Sequence, residues 1–499
     1  MTFRSRCGRV ASCHCSWHAA LDSDRMWRLP PWLLVLAVWA AVFLPALGSF
    51  EIKGEEGRRI LPAIAMLESG NYLVPRVGGD VYLHKPPLIN WLVAASFKVF
   101  GKRNEWSARA PSVLCILAVA AMFVTVARRT LGRKGSTIAA LVWLTNLGLI
   151  GKGRSIEIEA LYVSLCALAM ILWFSWWQEE RSPWLTWLVP SLCLGLGWLA
   201  KGPTHLIFFY ALVIAAVWQT KRWRSLFHPA HLIGILLMLA IFAAWAIPFM
   251  HMREGGMVMD KWRDQFAGRV TGQFFHLGVW ILTIPRALSY FLPWLLVVPF
   301  IRFKSFPDEE DRRLARALAY SVAVPLIVVG LIPGAAARYT LPVLTPFCWL
   351  MGMTFAKDAF KKPGWLGGLN QPLWSWIGPA FVGLVVLVGL VGYPAAALAA
   401  KRRPKVKNIA EKINVAVPPT ATLFAVDPNY QLFFFYIHSP VIYVGSLAEL
   451  PYETHYFLVR PEKEQDAIAS RQWAPGHASP VLRVTDFRDE TVILFIVNP

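Results

Sequence analysis

Charge is scarce in this sequence. Only 16% of its 499 residues are Asp, Glu, Lys or Arg, and acids are the smaller part, 30 against 50 basic residues. Soluble domains carry about 25% charge, so a chain this long that is 56% hydrophobic is not a soluble globule, a disordered chain or a coiled coil. Cysteine is sparse as well. Of the seven, Cys115, Cys166, Cys193 and Cys348 lie in apolar runs, where a thiol behaves as a small buried hydrophobe, and no disulfide framework follows. Cys7, Cys13 and Cys15 cluster with His14 and His18 but lack the paired spacing of a zinc site, so no metal site is assigned. Residues 1–25 are expected to be a disordered extension ahead of Met26. Nucleotide-binding signatures are missing too: the chain holds no GxxxxGK[ST] and no GxGxxG after a strand.

Long apolar runs are abundant. A spanning helix needs about 20 mostly apolar residues, and such runs centre on 30–49, 108–127, 136–151, 158–177, 184–200, 204–219, 231–250, 279–301, 314–333, 339–356 and 373–393. They predict a mainly α, polytopic transmembrane helical bundle of about 11 to 13 helices over residues 26–400. The runs near 136, 184 and 204 are short, which suits tilted, broken or re-entrant segments. Aromatics reach 13%, with 24 Trp, as expected where rings line two membrane–water interfaces.

The net charge of +20 is concentrated in a few loops. Arg128, Arg129, Arg133 and Lys134 follow the second run, and Lys221, Arg222 and Arg224 follow the sixth. Arg302, Lys304, Arg312, Arg313 and Arg316 follow the eighth; Lys357, Lys361 and Lys362 follow the tenth. All fall on one face, which the positive-inside rule makes cytoplasmic; contact with anionic membrane lipids then accounts for the basic excess without nucleic acid. The opposite, outer face receives residues 50–105, the short turns at 151–157, 201–203 and 334–338, the loop 251–278 and the tail.

The loop 50–105 is too long for a bland connection. Glu55 to Leu67 has helical spacing, and Leu88 to Phe100 is apolar but too short to span, so both are expected as interfacial helices. Beyond Arg402 the composition changes. Residues 401–499 read as a small soluble α/β domain on the outer side: a helix over Lys407–Val415, then strands at Ala421–Val426, Val441–Val444 and His455–Val459. Val481–Thr485 and Thr491–Val497 would close a hairpin across Asp486 to Glu490. This domain carries no catalytic signature.

Ionisable residues recur where the runs meet the outer face: Glu55, Glu56, Arg58 and Arg59, then Tyr82 and Lys85, Arg154 and Glu159, Lys201 before Gly202-Pro203, and Arg338 before Tyr339. At membrane ends such groups are candidates for function. Lys and Arg clamp a phosphate, and a carboxylate beside them orients or deprotonates an attacking hydroxyl. Bland readings stand beside this one. Lys201 and Arg338 suit snorkelling anchors, Glu55 and Glu56 suit a helix N-terminus, Lys85-Pro86-Pro87 suits a helix start, and Arg154 with Glu159 suits a structural ion pair.

The order of these residues resembles the C-type membrane glycosyltransferases of the protein mannosyltransferase superfamily, in particular the bacterial branch that includes the lipid A aminoarabinose transferase. The likeness covers most of residues 30 to 350. It rests on Glu55-Glu56-Gly57-Arg58-Arg59, Gly70-Asn71-Tyr72-Leu73-Val74-Pro75, Tyr82 with Lys85-Pro86-Pro87-Leu88, and Glu105-Trp106 with Arg109. Shorter matches follow at Arg154 to Glu159, Lys201-Gly202-Pro203 and Tyr339 with Pro342. The resemblance implies Glu55 and Glu159 as the two catalytic acids, although the family usually has Asp at both. It implies Lys85, Arg58, Lys201 and Arg338 as donor phosphate-binding groups, with Glu56, Tyr82, Arg154 and Tyr339 lining the substrate.

The implied reaction is transfer of a sugar from a polyprenyl-phosphate donor of the undecaprenyl-phosphate type to a glycolipid such as lipid A, a glycan or a protein at the periplasmic face. Such a donor needs no nucleotide site. The runner-up is a transporter or flippase of polyprenyl-linked glycans, and a third reading puts the activity in the tail. Trp262, Arg263, Gln265, Arg269 and His276 are further candidates for an acceptor site. A divalent metal at the phosphate is left open, as are the sugar and the acceptor.

Overall fold

The computed structural model describes residues 30–82, 84–252, 276–360, 372–400, 406–470, 477–486 and 489–497, together with Gly256 and Asp264. The N-terminal Cys and His residues, Trp262, Arg263, Gln265, Arg269, Lys361 and Lys362 lie outside the described residues.

Six described helices are long and apolar enough to cross a membrane: Glu105–Thr125, Ile158–Gln178, Pro183–Lys201, Pro229–Met250, Glu309–Leu331 and Ile377–Ala399. A seventh candidate is bent by 99° between Thr283–Ser289 and Trp294–Phe300. The other expected runs also fold as helices, but shorter ones. Pro31–Phe43 has 13 residues and His205–Thr220 has 16. The run at 136–151 divides into Arg128–Thr145 and Leu147–Gly153 because Asn146 leaves the helical conformation. Its amide donates to the carbonyls of Val142 and Trp143, and its side-chain oxygen accepts from Leu149 N–H at 3.0 Å, ending one helix and capping the next. The run at 339–356 opens as the 3-10 turn Ala337–Val343 before the helix Leu344–Ala356, since Pro342 offers no N–H to an α-helical ladder.

The helices are layered by burial. Ile158–Gln178 is 94% buried and forms the bundle's axis, whereas Pro229–Met250 and Ile377–Ala399 are only 22% and 17% buried. Apolar surface that no protein covers is, in a chain of this composition, surface for lipid tails. Arg128–Thr145 packs closely on Leu344–Ala356 where the Gly135 carbonyl comes within 2.5 Å of the place a Cβ on Gly352 would occupy, a small-residue contact of the kind that draws membrane helices together.

At one end the basic loops meet in space. Arg222 bridges Glu180 and Glu310 at 3.2 and 3.4 Å, Arg129 pairs with Glu179 at 3.6 Å, and Lys357 pairs with Asp311 at 2.9 Å. The charges singled out at the other membrane face gather at the opposite helix ends.

The first long loop carries the 3-10 turn Gly54–Glu56, the helix Gly57–Ser69, a small hairpin of Arg76–Val77 and Asp80–Val81, and the helix Leu88–Phe100, which begins behind Pro87 as expected. The tail forms the helix Val406–Ala416 and a five-stranded sheet. Its strands Val441–Val444, Leu423–Val426 and Tyr456–Val459 run parallel, and Thr491–Val497 and Ala478–Thr485 complete the sheet antiparallel. The last hairpin pairs Thr485 with Thr491, as the sequence suggested; Phe487 and Arg488 in its turn lie outside the described residues.

This tail is fastened to the loop. The Glu51 carboxylate accepts the Val406 and Lys407 N–H groups at 3.0 and 3.3 Å, capping the tail's first helix. Lys407 reaches Glu105 at 2.5 Å, and the Tyr436 hydroxyl donates to Glu105 while accepting from Ile52 N–H. A cavity of about 1410 Å³ opens along this seam, lined among others by Leu61, Ile64, Arg103, Lys407 and Asn414, and none of the ten site residues expected from the sequence lines it.

One buried pair organises the outer end. Arg109 is 3% exposed and Glu56 is 2% exposed. Arg109 donates from Nε and Nη2 to the two Glu56 oxygens at 2.8 and 2.9 Å, and from its remaining N–H groups to the carbonyls of Leu47, Phe50 and Glu51. All five guanidinium donors are thereby used. Glu56 also accepts the N–H groups of Lys53 and Ile156. Removing one member strands the other's charge in the interior, which costs about 3–5 kcal/mol. Arg109→Met and Glu56→Gln are each expected to lower the thermal unfolding midpoint of the purified protein sharply, and a midpoint unchanged in both variants would contradict this account.

Candidate active site

Two clusters of charge face the outer end. The first grows from the turn that Glu56 anchors. Helical spacing brings Arg58 and Arg59 round to Glu55: Arg58 Nη1 lies 2.8 Å and Arg59 Nη2 3.4 Å from its two oxygens. Glu55 is half exposed and Arg58 partly so, while Arg59 is buried. Arg59 also donates to the Tyr82 hydroxyl at 2.8 Å and lies over the Tyr82 ring, whose edge meets His84. Lys85 follows directly. The segments around Glu55 and around Lys85 are thus joined through Arg59 and Tyr82.

The second cluster centres on Glu159, 9% exposed, at the first turn of the axial helix. Lys201 Nζ and Arg338 Nε each lie 3.1 Å from the same oxygen. The Lys201 ammonium stands over the rings of Tyr162 and Tyr339 at 5.1 and 4.7 Å, and Arg338 over Tyr339 at 5.6 Å, cation–aromatic contacts that hold both charges in place. Lys201 ends its helix because Gly202 turns to φ +108, a conformation open to glycine. His205, fully buried, clasps that turn through Gly202 O and Leu194 O at 3.0 and 2.9 Å.

Arg338 links the clusters electrostatically. Burial pulls its pKa down, but Glu159 first, then Tyr339, Glu157 and Glu55, raise it, and the net movement is upward. Both expected acids, contributed by segments a hundred residues apart, therefore act on one guanidinium.

Two expected site residues face elsewhere. Glu56, expected to line the substrate, points inward, its oxygens taken by Arg109 and two backbone N–H groups. Arg154 does not pair with Glu159. It donates to the carbonyls of Val42 and Pro45 at the end of the Pro31–Phe43 helix and stacks on Tyr393 at 3.7 Å. Burial pushes its pKa down to about 10, partly offset by Tyr393 and reinforced by Arg109, so it stays charged at neutral pH. Both residues hold the wall of the site. The acid near Arg154 in sequence, Glu157, pairs with Lys152 at 2.6 Å. His276 is exposed and joins neither cluster through any described contact.

Arg59, named from the sequence without a role, joins Glu55 to Tyr82; its position four residues after Glu55 is the signal for that contact. Its Nε is buried without a hydrogen-bond acceptor among the described residues. Among those residues no group of three or more His, Cys, Asp or Glu gathers as a metal would require.

Residues 84–247 match the dolichyl-phosphate-mannose-protein mannosyltransferase family. The undecaprenyl phosphate-alpha-4-amino-4-deoxy-L-arabinose arabinosyl transferase 2 of Pseudomonas fluorescens is 27% identical over 381 residues, 74% of this chain and 66% of that protein. The corresponding transferase of Pseudomonas aeruginosa is 27% identical over 341 residues, 66% of this chain and 60% of its own. The chain thus spans less than two thirds of the length of these relatives. In fold it is similar to ArnT from Cupriavidus metallidurans, solved with undecaprenyl phosphate bound, with a TM-score of 0.67, 17% identity, and 96% of this chain and all of that one covered. The chain is thus similar over part of its length to that mannosyltransferase family and to the aminoarabinose transferases, and it shares its fold with ArnT.

Glu159 holds two cations, so its removal is expected to be costly even though Arg338 is 45% exposed and partly screened. Glu159→Ala should lower stability by about 1–3 kcal/mol, and Glu159→Asp, which keeps the charge, by less. Thermal unfolding of the two variants tests this ranking; equal losses would refute it.

Proposed function

We propose that this protein moves a sugar from a polyprenyl-phosphate donor, of the undecaprenyl-phosphate type, to an acceptor at the periplasmic face of the inner membrane. The single observation that carries the reading is one Glu159 oxygen holding both Lys201 and Arg338, with Arg58 and Arg59 around Glu55. Cations in excess of carboxylates at one end of an apolar bundle suit a lipid whose head is a phosphate and whose tail is hydrocarbon. The kinship with the arabinosyl transferases supports the same donor class.

In this mechanism the acceptor attacks the anomeric carbon from the side opposite the lipid phosphate. The bond from that carbon to the phosphate oxygen breaks, its electron pair stays on the oxygen, and the anomeric centre inverts. Lys85 and Arg58 meet the charge developing there, the kind of preorganised electrostatic help that dominates many enzymes. Glu55, held by two guanidinium groups, orients an acceptor hydroxyl or takes its proton; a phosphate acceptor would need orientation only. Glu159 keeps Lys201 and Arg338 together at the head group, and Tyr82 and Tyr339 shape the pocket between them. The acceptor is a glycolipid of the lipid A type, a glycan or a protein.

The basic loops at the opposite end would be cytoplasmic, and the remaining apolar helices would cross the membrane with the six long ones. Grouping of the charges at one end, instead of through the depth of the bundle, favours transfer over flipping of a polyprenyl-linked glycan. Glu55→Gln and Lys85→Ala should each lower transfer about a hundredfold or more in membranes with normal expression. Transfer is read by mass spectrometry of envelope lipids and glycoproteins with and without the protein, which also names sugar and acceptor. Near-normal transfer in both variants would end this reading.

A further inference from the structure

Tyr430 belongs to the tail, on the loop that leaves the strand Leu423–Val426, yet it reaches the turn that carries Glu55. Its hydroxyl donates to the Gly54 carbonyl at 2.6 Å, and its ring lies under the Arg58 guanidinium at 5.0 Å. The surrounding backbone is shaped for this contact. A Cβ on Gly57 would fall within 2.5 Å of the Tyr430 hydroxyl and closer still to Leu432, so the helix that begins there has no room for any other residue while Tyr430 is seated.

The loop presenting Tyr430 is clamped on both sides. Asp427 and Asn429 adopt positive φ, and the Asn429 carbonyl sits against Gly78 of the small hairpin. Asp427 is held by Arg460 and Lys463, and the buried Gln431 donates to Glu490 at 3.1 Å. Tyr430 is therefore delivered by a braced strand end, and Arg58, with a flexible stem and a partly exposed head, is the mobile partner. An arginine pinned between an aromatic face and a carboxylate loses less freedom when it grips a phosphate than one that must be gathered from solvent.

We propose that Tyr430 is a positioning residue of the donor site, setting the Arg58 guanidinium toward the lipid phosphate, so that the α/β tail completes the pocket. This rests on the reading of Arg58 and Lys85 as phosphate-binding groups.

The test uses the full-length protein in lipid nanodiscs and its affinity for undecaprenyl phosphate. Arg58→Ala and Lys85→Ala should each weaken binding. Tyr430→Leu should weaken it about three- to tenfold, and Tyr430→Phe, which keeps the ring but loses its tether to Gly54, by a smaller factor in the same direction. Tyr452→Ala, at a residue of the same unit that is 85% exposed, should bind normally. The deciding measurement is a double-mutant cycle: in the Arg58→Ala background neither Tyr430 substitution should weaken binding further. Wild-type affinity in both Tyr430 variants, or an equal loss whether or not Arg58 is present, overturns the proposal, and Tyr430→Phe keeps the cycle readable if the leucine variant does not fold. Unchanged affinity in both Arg58→Ala and Lys85→Ala would instead overturn the donor reading.

Discussion

A single buried ion pair, Glu56 with Arg109, sets the geometry of the outer end. A carboxylate and a guanidinium at this depth are tolerable only when each is satisfied almost completely, and here they are: five donors of one and both oxygens of the other are engaged. The pair draws three distant segments to one point, namely the turn at 47–56, the start of the Glu105–Thr125 helix and the Ile156 backbone. Glu55 is the neighbour of Glu56 on one side of this knot, and Glu159 begins the helix that follows Ile156. Both acids are thus carried by segments that this one pair fastens.

Around that knot, further charges are spent on architecture. Arg154 ties the end of the Pro31–Phe43 helix to Tyr393, Glu51 caps the tail's first helix, and Glu105 receives Lys407 and Tyr436. Glu55 pairs instead with Arg58 and Arg59, and Glu159 with Lys201 and Arg338; in the proposed function these are the partners that a substrate would exchange for its own phosphate and hydroxyl groups. Selective satisfaction of this kind separates a wall from a binding surface.

The tail is part of the same construction. Its parallel strands stop at the loop that carries Tyr430, and its helix starts on Glu51, so it closes over the residues that precede and follow Glu55. A tail attached by a flexible linker alone would offer none of these contacts. Their number fixes the tail on the segment that carries Glu55.

Much was legible in the chain itself. Apolar runs located the helices, because hydrophobic length is a property of composition, and the lysine and arginine loops sorted the two ends, because like-placed charges share a solvent. Strands such as Val441–Val444 and Thr491–Val497 showed in their alternation and branching. Order and spacing also suggested Glu55, Lys85, Glu159, Lys201 and Arg338 as the site that the proposed function uses. Only the tertiary structure decided how charges were partnered. Glu56 and Glu55 are adjacent and chemically alike, yet one is buried on Arg109 and the other is half exposed beside Arg58 and Arg59; Arg154 abandons Glu159 for backbone carbonyls; Tyr430 arrives from nearly four hundred residues away. Composition determines which groups must avoid or seek water, whereas the partner that satisfies each buried charge depends on which segments meet, and that is a property of the packed chain alone.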